Sequence, residues 1–240
     1  MKGFSLFEAA HIWWLISSAV IVAAAAVAGR IADRETNLRI SRWLAVAVIF
    51  FHFAECVHRM HIGTYGINAL PLHICAISSY MVIIHAFRPN RILGELLFCP
   101  GIIGAIAAML YPNWTEYAPL SIMSITCFLA HVFIIAYALH AIIIGLITPS
   151  VRRWYIPVIY LAVYAACIIP FDKHFHMNFG FLAGPSPGSP LVALAEVFGY
   201  GTGYYVGYAL ITVTGVFLCY GIYYLIRAVS AGRTDERSDH

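Results

Sequence analysis

The sequence predicts an all-α fold: a polytopic membrane protein of seven transmembrane helices, with its N-terminus outside and its C-terminus cytoplasmic. Three observations lead there. Hydrophobic residues make up 62% of the 240-residue chain and charged residues only 10%, a balance that no soluble domain of this length shows. The apolar stretches reach the length of about 20 residues that a helix needs to cross a bilayer. Arginines also gather on one side of those stretches, which sets the orientation. Helices are the expected spanning form because lipid offers nothing to unpaired backbone groups, and the runs lack the alternation of barrel strands.

The first span covers roughly 7–29. Lys2, the apolar run and Ala26-Val27-Ala28 imitate a signal peptide. Cleavage there would strand Arg30, Arg34, Arg39 and Arg42 outside, whereas Glu8, His11, Trp13 and Trp14 suit a retained helix with an interfacial belt. Spans 43–60, 70–87, 92–111, 121–147, 154–170 and 204–226 follow. The third has Pro71 in its first turn with Asn68 as a cap just before it. The loops at 30–42, 88–91 and 148–153 are short and, with the C-terminal end, carry eleven arginines; only Lys2, Arg59 and Lys173 fall on the other side. The net charge of +3 is this arginine set facing anionic headgroups, so no nucleic-acid partner is implied.

The external loop 171–203 is the long one. It holds GPSPGSP (184–190) and then the apolar LVALAEVF (191–198), with Ser189 and Pro190 as a helix start. Eight residues cannot span, so this piece is expected to lie in the interface or to re-enter, placed to roof a cavity that opens outward. Residues 1–227 read as one transmembrane domain, and 228–240 as a polar cytoplasmic tail expected to be disordered.

Eight of the eleven histidines fall in the outer half: His11, His52, His58, His61, His73, His131, His174 and His176. Intramembrane ionisable groups are costly and mark functional sites. His52, Glu55 and His58 recur every three residues, forming one helical stripe. Glu55 in it is the strongest functional candidate. His73 opens the third span, where the helix dipole favours a neutral ring fit to act as a base. His131 sits near the midplane of the fifth span, and Asn178 lies between Met177 and Phe179 in the late loop. The expected centre is therefore Glu55, His73 and His131, with Asn178 and His11 as substrate-binding residues.

Other motifs carry less. The six cysteines show no zinc or redox spacing. Cys75 is a nucleophile candidate beside His73, but two helical residues differ by about 200°, so that dyad would need a distorted helix. No cofactor is expected; zinc held by Glu55, His58, His73 and His131 is the alternative. Span 7 lacks the paired histidines of membrane zinc hydrolases. VFGYG (197–201) is not set in a channel architecture. Gly203 and Gly207 form a GxxxG spacing that marks a close helix contact, within the chain or in a homodimer.

The order of these pieces resembles the YwaF family of bacterial integral membrane proteins. The pieces are FSLFEAAH ending at His11, the acid Glu55, LPLHIC (70–75), PGIIGA (100–105), FLAH ending at His131 and MNFGFL (177–182). Transmembrane protein 164 of animals, described as a phospholipid acyltransferase, is a distant relative. The resemblance covers most of the chain and implies a lipid-modifying or acyl-transfer site at His73 and its neighbours. The animal relative is thought to use a cysteine immediately before the corresponding histidine, where this chain has Leu72.

The expected function is thus an intramembrane acyltransferase or lipid hydrolase of the plasma membrane, acting on a phospholipid or other acyl lipid of the outer leaflet. In this reading His73 is the general base, Glu55 orients a histidine, and His131 with Asn178 stabilises the oxyanion. The alternative is a transporter or ligand-binding membrane protein using the same cluster as a proton relay or binding site.

Overall fold

The computed structural model describes residues 3–238, with side chains as far as Ser230; Lys2 and the last two tail residues lie outside it. Every regular element among the described residues is helical. The α-helices are α1 (Ala9–Ile31), α2 (Arg34–His61), α3 (Ile74–Phe87), α4 (Arg91–Leu96), α5 (Ile102–Leu110), α6 (Ile122–Ile143), α7 (Tyr155–Phe175), α8 (Leu191–Phe198) and α9 (Thr202–Ser238).

Among the described residues, six helical segments are long and apolar enough to cross a membrane, with α4 and α5 counting as one broken segment from Arg91 to Leu110. The expected third span is shorter than its sequence range, because α3 holds only 14 residues. Pro71 is the cause. It forces Leu70 into an extended conformation (φ −60°, ψ 143°), and the chain turns before the helix starts. The expected fourth span is likewise not continuous. Pro100 lacks an amide proton, and the helix accommodates it in a π-helical turn over Leu97–Gly101. The polar segment beyond Arg227 continues α9 to Ser238.

Helix α6 is the hub. Thirteen of its residues from Met123 to Ala138 are buried, and α1, α2 and α5 pack around it. Its hydrophobic centre is Phe128, stacked on Trp14 with ring centroids 4.7 Å apart. Polar ties fix the neighbours. At one end of α6, His140 bonds the carbonyls of Ala25 (2.9 Å) and Asn37 (3.2 Å), holding α1 and α2. The turn between those helices is closed by Asp33, which caps α2 through the Thr36 amide and hydroxyl. Those two bonds, the hydroxyl's first, hold the Asp33 carboxyl below the usual range.

The carboxylate of Glu95 is 1% exposed and makes three bonds. It accepts from the Ser150 amide (3.0 Å), Arg153 Nε (2.7 Å) and the Tyr220 hydroxyl (2.6 Å), so that α4, the 148–153 loop and α9 meet on one acid.

The GxxxG pair is used inside the chain. A Cβ on Gly203 would collide with the Phe198 carbonyl, and one on Gly207 would come within 2.8 Å of the Phe198 ring. These glycines therefore let α8 fold back onto α9, and that face is not free for a second copy. Ser189 turns back to the Ser186 carbonyl instead of capping α8.

His11 is fully buried on α1 and does not line the cavity described below. Its Nδ1 accepts from the Phe7 amide (2.9 Å) and its Nε2 donates to the Met109 carbonyl (2.8 Å). The expected substrate-binding role is thus replaced by a structural one: both ring nitrogens are committed to backbone, tying α1 to the end of α5. His11→Ala is expected to cost about 1–3 kcal/mol of stability, the penalty of stranding buried partners, with a smaller effect on any activity of the intact fold. Thermal unfolding of purified protein reads it.

Candidate active site

A cavity of about 580 Å³ lies among α2, α3, α5, α6, α7 and α9, within the range of sites for small molecules. The structure brings Glu55, His73, His131 and Asn178 to its wall. The lining face of α2 is His52, Glu55, Cys56 and Arg59, which is the i, i+3, i+4, i+7 pattern of one helix side. His58 is not part of it, and neither are His61, His174 and His176.

Glu55 is ion-paired with Arg59 one turn on, through Arg59 Nε at 2.9 Å. Sequence reading placed Arg59 only among the outer charges; the structure makes it the partner of the central acid. Beside it, His52 shares a hydrogen bond with Tyr80 (3.3 Å). At the mouth, burial first and the neighbouring Glu116 carboxylate second push the Tyr117 phenol up.

His131 is 8% exposed and rigidly held. Its ring stacks on Trp114, with centroids 5.3 Å apart. Its Nδ1 lies 2.7 Å from the Cys127 carbonyl. A carbonyl only accepts, so Nδ1 carries the proton and Nε2 of the neutral ring presents a lone pair. That Nε2 is buried and has no hydrogen-bond partner. The Cys75 side chain lines the same cavity wall and interacts electrostatically with this ring.

His73 has the opposite arrangement. It is not helical: it is the residue that precedes α3 (φ −66°, ψ 144°). Its Nδ1 accepts from the Gly180 amide at 3.3 Å, so the neutral ring carries its proton on Nε2 and offers a donor. The rings of Phe179 and Phe181 flank it at 5.1 and 5.8 Å. Three tyrosines hold this corner. Tyr164 donates to the Leu72 carbonyl, Tyr208 to that of Gly180 and Tyr204 to that of Phe181, each at 2.8 Å. Gly180 sits at φ +62°, and a Cβ there would lie 2.6 Å from the Tyr164 hydroxyl, so only glycine fits.

Asn178 does not aim its amide at the cavity. Its Oδ1 accepts from the Ala183 amide (2.9 Å) and its Nδ2 donates to the Gly184 carbonyl (3.0 Å). Both ends are engaged within its own loop, which corrects the expectation of an oxyanion donor: Asn178 braces the segment that holds His73. Asn178→Ala is expected to loosen that segment, seen as faster hydrogen exchange over 177–184 with little change elsewhere.

Because α3 starts after His73, the amides of Ile74, Cys75 and Ala76 are its free first-turn donors, and no side chain caps them. Cys75 is the second residue of this helix. Sequence reasoning weighed Cys75 only against His73 two residues away. The histidine that shares its cavity wall from α6, His131, is one that no local spacing reveals. As for zinc, no group of three or more His, Cys, Asp or Glu among the described residues is placed to hold a metal ion.

A family model described as the TMEM164 family matches residues 6–223, nearly the whole chain and all of the cavity. The chain belongs to the TMEM164 family. The relation to transmembrane protein 164 implied by LPLHIC and FLAH is thereby shown, and the match together with the apolar helices makes the chain a multi-pass membrane protein. No curated protein and no solved structure matches it.

Proposed function

We propose that this TMEM164-family protein is an intramembrane acyltransferase or lipid hydrolase of the plasma membrane that works through a Cys75–His131 pair. The observation that carries this is the Nε2 of His131, buried and without a hydrogen-bond partner, in the same cavity wall as a cysteine at a helix N-terminus. A buried unsatisfied nitrogen costs stability, and a thiol proton is what it lacks.

In this reading Nε2 of His131 takes the Cys75 proton as the sulfur attacks an ester carbonyl of a membrane lipid. The free amides of the first turn of α3, with the Nε2–H of His73, receive the oxyanion. The tetrahedral centre collapses with loss of the alkoxide, which leaves as the alcohol with the proton from His131. An acceptor hydroxyl, an amine or water then attacks the thioester, His131 takes its proton, and the thiol is restored. The two histidines thus exchange the roles expected from sequence: the backbone bonds favour His131 as the base and His73 as the donor. Glu55 is committed to Arg59, which weighs against the proton-relay alternative.

Seven spans with the N-terminus outside remain the topology we favour. Helix α3 rises only about 21 Å, less than the roughly 30 Å hydrocarbon core. With Arg88 and Arg91 at the cytoplasmic surface, its N-terminus would lie about 9 Å below the outer boundary of that core, so an outer-leaflet ester would have to enter the cavity to meet Cys75. The test is an acyl adduct. Protein incubated with phospholipid is expected to gain the mass of one acyl group, lost with neutral hydroxylamine and absent from Cys75→Ala. Undiminished lipid turnover by Cys75→Ala would sink the thiol mechanism.

A further inference from the structure

We propose that Arg59 is the phosphate-binding residue of the cavity, its two terminal nitrogens holding the headgroup phosphate of the lipid whose ester meets Cys75. The proposal rests on the acyl-transfer reading above and adds to it the group that recognises the polar end of the substrate.

An arginine on a membrane helix is costly and calls for an anion. Arg59 has one for only part of its guanidinium. Its Nε donates to Glu55 Oε1 at 2.9 Å, and its side chain is 21% exposed. Nη1 and Nη2 make no hydrogen bond among the described residues, and unlike His131 Nε2 they are not buried. Arg153, the other partly buried arginine paired with an acid, is used differently: its Nε donates to Glu95 and a terminal nitrogen donates to the Thr148 carbonyl. Arg59 thus keeps the whole terminal edge of its guanidinium unengaged. It lines the cavity, and among the described residues it is the one Lys or Arg that does.

What such an edge recognises follows from its shape. Two parallel N–H groups match two oxygens of one phosphate. A glycerophospholipid brings that group a few bonds from its ester carbonyls. His73, assigned to the oxyanion, interacts electrostatically with Arg59, Glu55 and His131 alike, so the guanidinium belongs to the same cluster as the residues assigned to the ester. The wall is not a general anion trap, because Glu55 and Glu116 set two carboxylates against the one guanidinium. Attraction therefore depends on directed hydrogen bonds. Glu55 acts in two opposed ways: its bond to Nε fixes the plane of the guanidinium, while its charge repels the phosphate.

The experiment uses full-length protein carrying Cys75→Ala, with bound lipid counted by native mass spectrometry. Lysophosphatidylcholine is compared with the monoacylglycerol of the same acyl chain, which lacks only the phosphocholine. The phospholipid is expected to bind more tightly. Arg59→Gln should weaken it by about ten- to a hundredfold, the usual worth of hydrogen bonds to a charged group, and leave the monoacylglycerol unchanged. Arg59→Lys keeps the charge without the fork and should fall between, which keeps the assignment testable should glutamine prevent folding. Glu55→Gln, whose amide oxygen still accepts from Nε, should tighten lysophosphatidylcholine alone; weakening of both lipids there would mark the pair as structural and overturn the proposal. Equal loss of both lipids in Arg59→Gln, or loss of neither, would overturn it too. Inorganic phosphate and phosphocholine serve as competitors. Neither should displace the lipid at matching concentration, because neither has an acyl chain to bury; displacement would make the ligand a free phosphate and overturn the headgroup assignment. The measurement needs no catalysis, so it is decided separately from the acyl-adduct test. A phosphate preference lost in Arg59→Gln, with no adduct on the wild-type protein, retains this site and rejects the thiol mechanism.

Discussion

His131→Asn is expected to slow acyl transfer by about 10²–10⁴-fold, the usual range for losing a general base, while His73→Asn costs less. The asymmetry follows from two hydrogen bonds. His131 Nδ1–H is fixed on the Cys127 carbonyl, so its free nitrogen is an acceptor. Asparagine there keeps bulk but cannot take a thiol proton. His73 Nδ1 is fixed by the Gly180 amide, so its free nitrogen is a donor. An amide side chain still supplies an N–H, which is why asparagine at 73 retains part of the oxyanion stabilisation. The single-turnover rate of Cys75 acylation is the quantity to measure, because it excludes the second half-reaction. A purely structural role for His131 would lower stability in step with rate and leave the pH profile of the residual activity unchanged. A base role removes the ascending limb of that profile at undiminished helical content. Equal losses at both positions, or a larger loss at His73, would return the base to the residue that the sequence alone favoured.

The reason the sequence favoured His73 shows where sequence reasoning stops. Apolar length, arginine bias and intramembrane polarity are properties of single segments, and from them the helical membrane architecture and the convergence of Glu55, His73 and His131 on one region were legible. What was not legible depends on pairings across the chain or on where a helix begins. The start of α3 was read at Pro71, whose fixed φ suits a first turn; the structure starts it at Ile74, which takes His73 out of the helix and puts Cys75 into its first turn. Cys75 shares the cavity wall with His131 of α6, and nothing in LPLHIC points to FLAH. Arg59 was counted as an outer charge because it lies near the end of a span, yet its helical offset of four from Glu55 was readable as an ion pair. Asn178 was misjudged for a different reason: an amide between apolar neighbours can be satisfied by its own loop as well as by a ligand.

Glu95→Ala is expected to destabilise the protein by about 3–5 kcal/mol, the cost of breaking a buried ion pair from one side. Arg153 is partly accessible, with a quarter of its side chain exposed, so the lower part of that range is the better expectation. The loss is not confined to one charge. The Ser150 amide and the Tyr220 hydroxyl also lose their acceptor, and the tyrosine is 1% exposed with no water to replace it. Glu95→Gln separates the contributions, because its carbonyl can still accept one of the three bonds while the charge on Arg153 goes unmatched; it should fall between wild type and alanine. The site adjoins the π-helical turn at Leu97–Gly101, from which Pro100 reaches the cavity wall. Loosening α4 should therefore also reach the cavity wall. Thermal unfolding in detergent measures the destabilisation. If Glu95→Ala unfolds at the wild-type temperature, the acid is not the tie among α4, the 148–153 loop and α9 that its three short bonds indicate.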